Sequence, residues 1–201
     1  MNEVADNIFK ELFHITKKHR AAQKAQKPCV VWLTGLSGAG KSTIAKELDS
    51  KLYKLGVHSY ILDGDNLRLG INKGLGFSIE ERSENIRRTA EITKLFVDAG
   101  LVVIVAVISP FSKDREMART LFEGSEFIEV FVDAPLAIVE QRDTKGLYKK
   151  ARSGEFKNFT GVSSPYEVPR QPEIYVPTNI LSCSEATNKI LNYIIEKDFI
   201  S

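Results

Sequence analysis

A glycine-rich stretch near the start of the chain has the residue types and spacing of a phosphate-binding loop. It reads Gly35-Leu36-Ser37-Gly38-Ala39-Gly40-Lys41-Ser42-Thr43, which fits the pattern G-x-x-x-x-G-K-[ST] at every fixed position. Glycines let backbone N–H groups turn inward around a phosphate chain, and a helix that begins beside them directs its positive end at the same anions. We therefore expect Lys41 to reach the β- and γ-phosphates of a nucleotide and the Ser42 hydroxyl to ligate Mg²⁺.

Further polar residues follow two apolar segments. Asp63-Gly64-Asp65-Asn66-Leu67-Arg68 comes after residues 59–62, and Ser109 comes after residues 101–108. Because ligands of open α/β sheets bind beyond the carboxyl ends of the strands, these residues are expected beside the phosphate loop. Asp63 then orders Mg²⁺-bound water or accepts a proton from an attacking hydroxyl, unless the stretch is a simple polar turn. Ser109 either binds substrate or takes a phosphoryl group itself, and no histidine follows nearby to act as its base.

A third group of polar residues opens the helix that Ser78 is predicted to cap. Its first turns carry Arg82, Asn85, Arg87 and Arg88. Planar guanidinium groups suit the oxyanions of a second substrate. The alternative is a solvated face paired with the neighbouring glutamates. We expect one or two of these arginines to be functional and the others to lie on the surface.

The segments that must position these groups alternate between strand and helix. Residues 30–33 predict a buried strand before the phosphate loop, and the apolar spacing over 45–55 predicts a helix after it. The alternation predicts an α/β fold of the P-loop NTPase type, in which helices flank a mostly parallel, five-stranded sheet. The other predicted strands cover residues 59–62, 101–108, 127–132 and 178–181, and the other helices begin near Ser112, near Pro135 and at a Ser184 cap.

Residues 142–172 differ in composition from the rest of the chain. A basic run from Arg142 to Arg152 is followed by glycine, phenylalanine and proline residues. Such a segment is typical of a lid that closes over phosphates and excludes water, although a flexible solvated loop has the same composition. The glycine-containing residues 69–77 are expected to form a mobile loop.

The N-terminal residues 2–22 are predicted to form an amphipathic helix, because Val4, Ile8, Leu12 and Ile15 recur on one face. Packing of this helix on the domain or on a second subunit is favoured over a membrane surface. The 201 residues are expected to form a single domain. Its predicted parts are the N-terminal helix within residues 1–24, a core over 28–197 and the lid over about 142–172.

Composition restricts the class of partner. A net charge of only +2 gives no electrostatic indication of nucleic-acid binding. The longest apolar run, residues 101–108, is too short to span a bilayer, and no secretory signal is recognised, so a cytoplasmic protein without a membrane partner is expected. Cys29 and Cys183 are expected to be reduced and structural.

Several blocks of the sequence, taken in order, resemble the adenylyl-sulfate kinase (APS kinase) family. They are the phosphate loop and residues 63–68, 74–78, 82–88, 108–110, 131–135, 145–152 and 159–161. The resemblance covers about residues 28–197 without large gaps. The phosphate loop is shared with many NTPases, whereas the later blocks make the resemblance specific.

The resemblance implies that the γ-phosphoryl group of ATP is transferred, with Mg²⁺, to the 3′-hydroxyl of adenosine 5′-phosphosulfate. The products would be 3′-phosphoadenosine 5′-phosphosulfate and ADP, a step in sulfate activation. By analogy, Phe77 and Phe159 would sandwich the adenine of the acceptor, and Arg68 and Arg82 would hold its phosphosulfate. Asp63 would act with Mg²⁺ at the attacking hydroxyl. The resemblance assigns the rest of the acceptor pocket to Asp65, Asn66, Asn85, Ile108, Lys145 and Thr160.

The resemblance also bears on Ser109 and on the oligomeric state. Bacterial members have been assigned a phosphoserine intermediate at the residue that matches Ser109, although direct in-line transfer needs no enzyme nucleophile. Members are commonly homodimers, and the N-terminal helix is a candidate contact. The alternatives are another small-metabolite or nucleoside kinase of the same fold and a non-catalytic ATP-binding module.

Overall fold

One parallel sheet forms the centre of the structure, a computed structural model that describes residue 9 and residues 11–200. The strands are β1 (Cys29–Thr34), β2 (Ser59–Asp63), β3 (Val102–Ala106), β4 (Phe127–Asp133) and β5 (Ile174–Pro177). They lie in the order β2-β3-β1-β4-β5, and every neighbouring pair is parallel. The predicted five-stranded sheet is therefore confirmed.

Helices cover both faces of this sheet, as a parallel sheet requires. The helices are α1 (Lys17–Gln23), α2 (Lys41–Lys54), α3 (Gly64–Leu69), α4 (Ile79–Asp98), α5 (Ser112–Arg119), α6 (Leu136–Gln141), α7 (Leu147–Arg152) and α8 (Cys183–Glu196). Side chains of β1 alternate between the two faces. Val31 and Leu33 belong to the core cluster that contains α2 and α8, whereas Val30 and Trp32 belong to the cluster that contains α4 and α5.

The register of the strands determines where the functional segments meet. Ala106 of β3 lies opposite both Leu33 of β1 and Asp63 of β2. Thr34, the last residue of β1, lies opposite Phe131 of β4. The chain therefore leaves these strands at one common edge, and the segments that follow them lie side by side there.

The predicted N-terminal helix is wrong for residue 9 and residues 11–16, whereas residues 17–22 are helical as expected. Residue 9 and residues 11–16 are not helical, and α1 begins only at Lys17. Leu12 and Ile15 are exposed, so the predicted apolar face is not packed on the domain, and packing is what stabilises most short helices. Val4 and Ile8 lie outside the described residues.

Three boundaries of later elements also differ from the prediction. The last strand is β5, and residues 178–181 form a turn instead. The cap of α8 is Ser182, whose Oγ accepts the Glu185 N–H, and Ser184 lies within the helix. Ser112 likewise is the first residue of α5, and Phe111 occupies the cap position. The capping box of Ser78 on α4 is confirmed.

Candidate active site

A cavity of about 1300 Å³ opens at the carboxyl edge of the sheet. It brings together nearly all the residues that the sequence singled out, from segments far apart in the chain. The exceptions are Gly35 and Leu36 of the phosphate loop, together with Arg87 and Arg88 of α4. Leu36 lines a neighbouring cavity of about 600 Å³. The predicted residues that line the large cavity are Ser37, Gly38, Ala39, Gly40, Lys41, Ser42, Thr43, Asp63, Asp65, Asn66, Arg68, Phe77, Arg82, Asn85, Ile108, Ser109, Lys145, Phe159 and Thr160.

The phosphate loop lies between β1 and α2, and glycine is required at its two ends. A Cβ atom on Gly35 would lie 2.2 Å from the carbonyl oxygen of Val132, a distance that no side chain tolerates. Gly40 has φ +103° and caps the start of α2, in the left-handed region that favours glycine. The loop can therefore pass close to β4 and deliver its N–H groups and the positive end of α2 to the cavity.

Lys41 is buried at the first position of α2. Its Nζ donates hydrogen bonds to the carbonyl oxygens of Gly35, at 2.8 Å, and Leu36, at 2.7 Å. Burial lowers the pKa of Lys41 to about 8, and the nearby carboxylates of Asp63 and Asp65 oppose that shift. The ammonium group is thus held inside the loop in an environment that disfavours its charge, and an added anion would stabilise it.

Oxygen atoms suited to a hard cation lie beside Lys41. The Ser42 hydroxyl donates to Asp63 Oδ2 at 2.7 Å, and Asp63 Oδ1 accepts the Asp65 N–H at 3.0 Å, which caps α3. A hydroxyl and a carboxylate are ligands that Mg²⁺ accepts when substrate phosphates and water complete its shell. The residues present therefore fit the predicted Mg²⁺ site. Across residue 9 and residues 11–200, no cluster of three or more His, Cys, Asp or Glu side chains is placed to hold a metal ion.

The opposite side of the cavity combines an aromatic ring with two guanidinium groups. The Cζ atoms of Arg68 and Arg82 lie 4.5 Å and 5.3 Å from the centroid of the Phe77 ring. Arg82 donates to the carbonyl oxygens of Phe77, at 3.1 Å, and Asn158, at 2.7 Å. Burial, together with the charge of Arg68, lowers the pKa of Arg82 to about 10. Both arginines remain charged at neutral pH and can bind an oxyanion.

Two buried polar atoms in this part of the cavity have no hydrogen-bond partner in the protein. They are Asn85 Oδ1, on α4, and Thr160 Oγ1, in the segment that follows α7. A buried polar atom without a partner is costly, and such atoms in a cavity often mark ligand contacts.

The other two arginines of α4 that the sequence singled out do not reach the cavity. Arg87 and Arg88 instead pair with Glu84 outside it, each with a closest N–O distance of 2.7 Å.

Ser109 is almost fully buried at the floor of the cavity. Its Oγ accepts a hydrogen bond from the Trp32 indole N–H at 3.1 Å, and its carbonyl oxygen accepts one from Arg115 at 2.7 Å. Its backbone has φ 38°, in the left-handed region that serine rarely occupies. The surrounding hydrogen bonds thus hold Ser109 in a strained conformation of the kind that functional sites retain.

Lys145 joins the predicted lid to the opposite side of the cavity, because its ammonium group pairs with Asp65 of α3. Hydrogen bonding and charge attraction from Asp65 raise the pKa of Lys145. The pair connects a residue from the basic segment to the one that follows β2. Both partners are largely solvent-exposed, so their attraction is screened and contributes little to stability.

Comparison with known proteins identifies the family. Residues 27–177 match the family model described as Adenylylsulphate kinase. The chain belongs to the adenylyl-sulfate kinase family. An adenylyl-sulfate kinase of Marinobacter nauticus is 55% identical over 92% of this chain and 94% of its own length.

Solved members of the adenylyl-sulfate kinase family share the fold. The APS kinase of Mycobacterium tuberculosis, solved in complex with AMPPNP and APS, has a TM-score of 0.82 and 43% identity over 85% of this chain and 99% of that one. A hexameric APS kinase of Thiobacillus denitrificans has a TM-score of 0.69 and 28% identity, and covers 92% of this chain and 32% of that one. The predicted P-loop NTPase fold is thereby confirmed. No helix among the described residues is long and apolar enough to cross a membrane.

The cavity of this family member is also lined by three residues to which the sequence assigns no role, Arg142, Tyr148 and Phe156. Arg142 donates two hydrogen bonds to Thr178, which in turn donates to the Ala39 carbonyl oxygen of the phosphate loop. The density of basic and aromatic residues in the predicted lid was the available signal. It identified the segment but not which of its side chains face the cavity.

Proposed function

We propose that this chain is an ATP-dependent transferase that phosphorylates the 3′-hydroxyl of adenosine 5′-phosphosulfate. The products are 3′-phosphoadenosine 5′-phosphosulfate and ADP. The observation that carries the proposal is a single cavity with a phosphate loop on one side and an arginine- and phenylalanine-containing pocket on the other. The kinase from Marinobacter nauticus, which has nearly the same length, supports the same activity.

On the donor side, the loop N–H groups and Lys41 bind the phosphates of ATP. Lys41 exchanges its two carbonyl acceptors for phosphate oxygens, since its ammonium group already lies inside the loop. Ser42 and Asp63 would hold Mg²⁺, which would neutralise phosphate charge. Asp63 also accepts the proton of the 3′-hydroxyl. The new bond joins the 3′-oxygen to the γ-phosphorus, and the bond from that phosphorus to the oxygen bridging to the β-phosphate breaks.

On the acceptor side, Phe77 and Phe159 stack on the adenine, and Arg68 and Arg82 bind the phosphosulfate. Stacking suits a flat base, and guanidinium groups suit tetrahedral anions. The unpartnered Asn85 Oδ1 and Thr160 Oγ1 support this assignment, because a polar acceptor molecule would supply their missing partners. Asp65, Asn66, Ile108 and Lys145 complete the pocket.

The buried Lys41 makes ATP binding sensitive to pH. Its pKa of about 8 in the free protein rises when phosphate oxygens stabilise the ammonium group. Binding above that pH therefore takes up a proton, and we expect affinity to fall by up to about tenfold for each further pH unit. Calorimetry with a non-hydrolysable ATP analogue, in two buffers of different ionisation enthalpy, measures both effects. An affinity that stays constant up to about pH 9.5, with no proton uptake, would contradict this role of Lys41.

Ser109 is proposed to position the floor of the cavity rather than to carry a phosphoryl group. The Ser109→Ala variant should keep turnover within about tenfold of the native rate, because direct in-line transfer needs no enzyme nucleophile. It should lose about 1–3 kcal/mol of stability, because the Trp32 N–H loses its acceptor in the core. Thermal unfolding measures the stability. Rapid quench of the native enzyme with labelled ATP tests the chemistry: a phosphoserine that forms and decays at the turnover rate would overturn the proposal.

A coupled assay of ADP release tests the proposed function directly. We expect rapid release with adenosine 5′-phosphosulfate and little with AMP, which lacks the sulfate. Faster release with AMP or with a nucleoside would favour the alternative small-metabolite or nucleoside kinase. ATP binding without acceptor-dependent release of ADP would indicate a non-catalytic module.

We also propose that the chain forms a homodimer through the apolar residues before α1. Phe9, Leu12, Phe13 and Ile15 are 58% to 85% exposed, and a contiguous exposed apolar patch often marks an interaction site. The hexameric Thiobacillus relative supports self-association within the family. Light scattering should give twice the chain mass for the native protein and a shift toward the chain mass for Phe13→Glu. A native monomer would rule the dimer out.

A cytoplasmic location is proposed as well. Cys29 and Cys183 are both free thiols, which suits a reducing compartment. ATP, the proposed phosphoryl donor, is abundant there. Fractionation of cells that express the native chain tests this location, and recovery with the extracellular fraction would contradict it.

A further inference from the structure

A third phenylalanine touches both rings that are proposed to bind the acceptor base. Phe156 follows α7, and its ring centroid lies 5.2 Å from that of Phe77 and 5.8 Å from that of Phe159. The three rings therefore form a continuous aromatic surface in the large cavity, which all three line. No role has so far been assigned to the ring of Phe156.

The angles between these rings indicate what Phe156 does. A side chain that took the place of a stacked base would lie nearly parallel to the rings on either side. Phe156 is instead inclined by 64° to Phe77 and by 83° to Phe159. It therefore does not mimic a bound base. It lies edge-on to both of the other rings, which is the orientation of a side wall rather than of a third stacking ring.

The surroundings of Phe156 hold this wall in place. Its backbone N–H donates to the Lys150 carbonyl oxygen at 3.1 Å. The Tyr148 ring packs edge-on against Phe159, at 4.9 Å, and the Tyr148 hydroxyl donates to the Ser37 carbonyl oxygen at 2.8 Å. The aromatic surface is thus tied to the phosphate loop, and its position is linked to that of the proposed donor.

We propose that Phe156 is a specificity-determining residue for the acceptor base, an inference that rests on the proposed function. Its ring faces the edge of the base that lies between Phe77 and Phe159. A C–H edge packs well against such a wall. A polar exocyclic group there would lose its water and find no hydrogen-bond partner. The wall therefore favours adenine over a purine such as guanine, which carries an amino group at C2 where adenine has a C–H.

The test compares Phe156→Ala with the native enzyme, using adenosine and guanosine 5′-phosphosulfates as acceptors. We expect the KM for the adenosine acceptor to rise about threefold to tenfold, the range that one aromatic contact supplies, while the KM for ATP stays unchanged. The preference for adenosine over guanosine, as a ratio of kcat/KM values, should fall about tenfold. Phe156→Leu, which keeps an apolar wall, should retain most of that preference.

Phe96→Ala is a matched control, since this α4 ring packs on Tyr60, outside the cavity, and both KM values should stay native. An unchanged base preference in Phe156→Ala, or an equal rise of both KM values, would overturn the proposal. The measurements also distinguish an error in the proposed function from an error in the role of Phe156. Native enzyme that does not phosphorylate adenosine 5′-phosphosulfate would contradict the proposed function. Native enzyme that does so, with base preference unaffected by Phe156→Ala, would contradict only the role of Phe156.

Discussion

Arg82→Ala is expected to abolish efficient use of the acceptor while leaving ATP binding nearly intact. Arg82 is buried and charged, and it lies within 5.3 Å of the Phe77 ring centroid. Loss of one partner of a buried charge pair costs about 2–5 kcal/mol, so kcat/KM for adenosine 5′-phosphosulfate should fall by a factor of about 30 to several thousand. Steady-state kinetics with each substrate varied in turn, together with calorimetry of the ATP analogue, separate the two effects.

Two further variants control for structural damage, because Arg82 also binds the carbonyl oxygens of Phe77 and Asn158. Arg87→Ala removes an arginine from the same helix that pairs with Glu84 outside the cavity, and it should leave both substrates unaffected. Arg82→Lys keeps the charge but loses the planar fork, and an intermediate defect is expected. Equal loss of ATP binding and acceptor use in Arg82→Ala would contradict the assignment.

Lys41→Ala should reduce turnover by about 10²-fold to 10³-fold, the usual effect of removing one group that stabilises transition-state charge. The thermal stability of the variant, in contrast, should not fall. The pKa of Lys41 is lowered by burial, which means that folding disfavours its charged form at neutral pH. The variant should therefore unfold at a temperature no lower than the native protein. ADP-release kinetics and thermal unfolding measure the two quantities.

Lys54→Ala provides the comparison for this prediction, since Lys54 ends the same helix on the exposed surface. It should retain native turnover. A Lys41→Ala variant that lost turnover together with several degrees of thermal stability would indicate a structural role. A Lys41→Ala variant with the native turnover rate would show that Lys41 does not act at the donor site.

The central part of the fold could be predicted from the sequence because its signals agree with one another. The phosphate loop, the apolar strand before it and the helical spacing after it all indicate the same unit, and the structure contains it. The segment that forms β5 was missed because its alternation is short. Only Ile174 and Val176 are buried, on either side of an exposed Tyr175. Ile180, which suggested a strand over residues 178–181, is 75% exposed. An apolar side chain alone therefore does not indicate a buried strand there.

Some residues of the candidate site could likewise be predicted from the sequence, and others could not. Residues in compact motifs, such as Asp63 at the end of β2, could be located because strand ends converge at one edge of a parallel sheet. Phe77 and Phe159 came from the family resemblance, and local spacing alone did not indicate them. Phe156 could not be assigned from the sequence, since its contribution depends on the angle between its ring and two others. The helix predicted before Lys17 is wrong for a different reason, because amphipathic spacing does not ensure that a surface is present for the helix to pack against.

The hydrogen bond between Trp32 and Ser109 also provides a built-in optical probe. Trp32 is the only tryptophan in the chain, and its buried indole reaches the floor of the cavity through Ser109. All tryptophan emission therefore originates from one environment, which is hydrogen-bonded to a residue that lines the cavity. Changes in its intensity or wavelength can follow ligand association in unlabelled protein, including on the millisecond timescale of stopped-flow mixing.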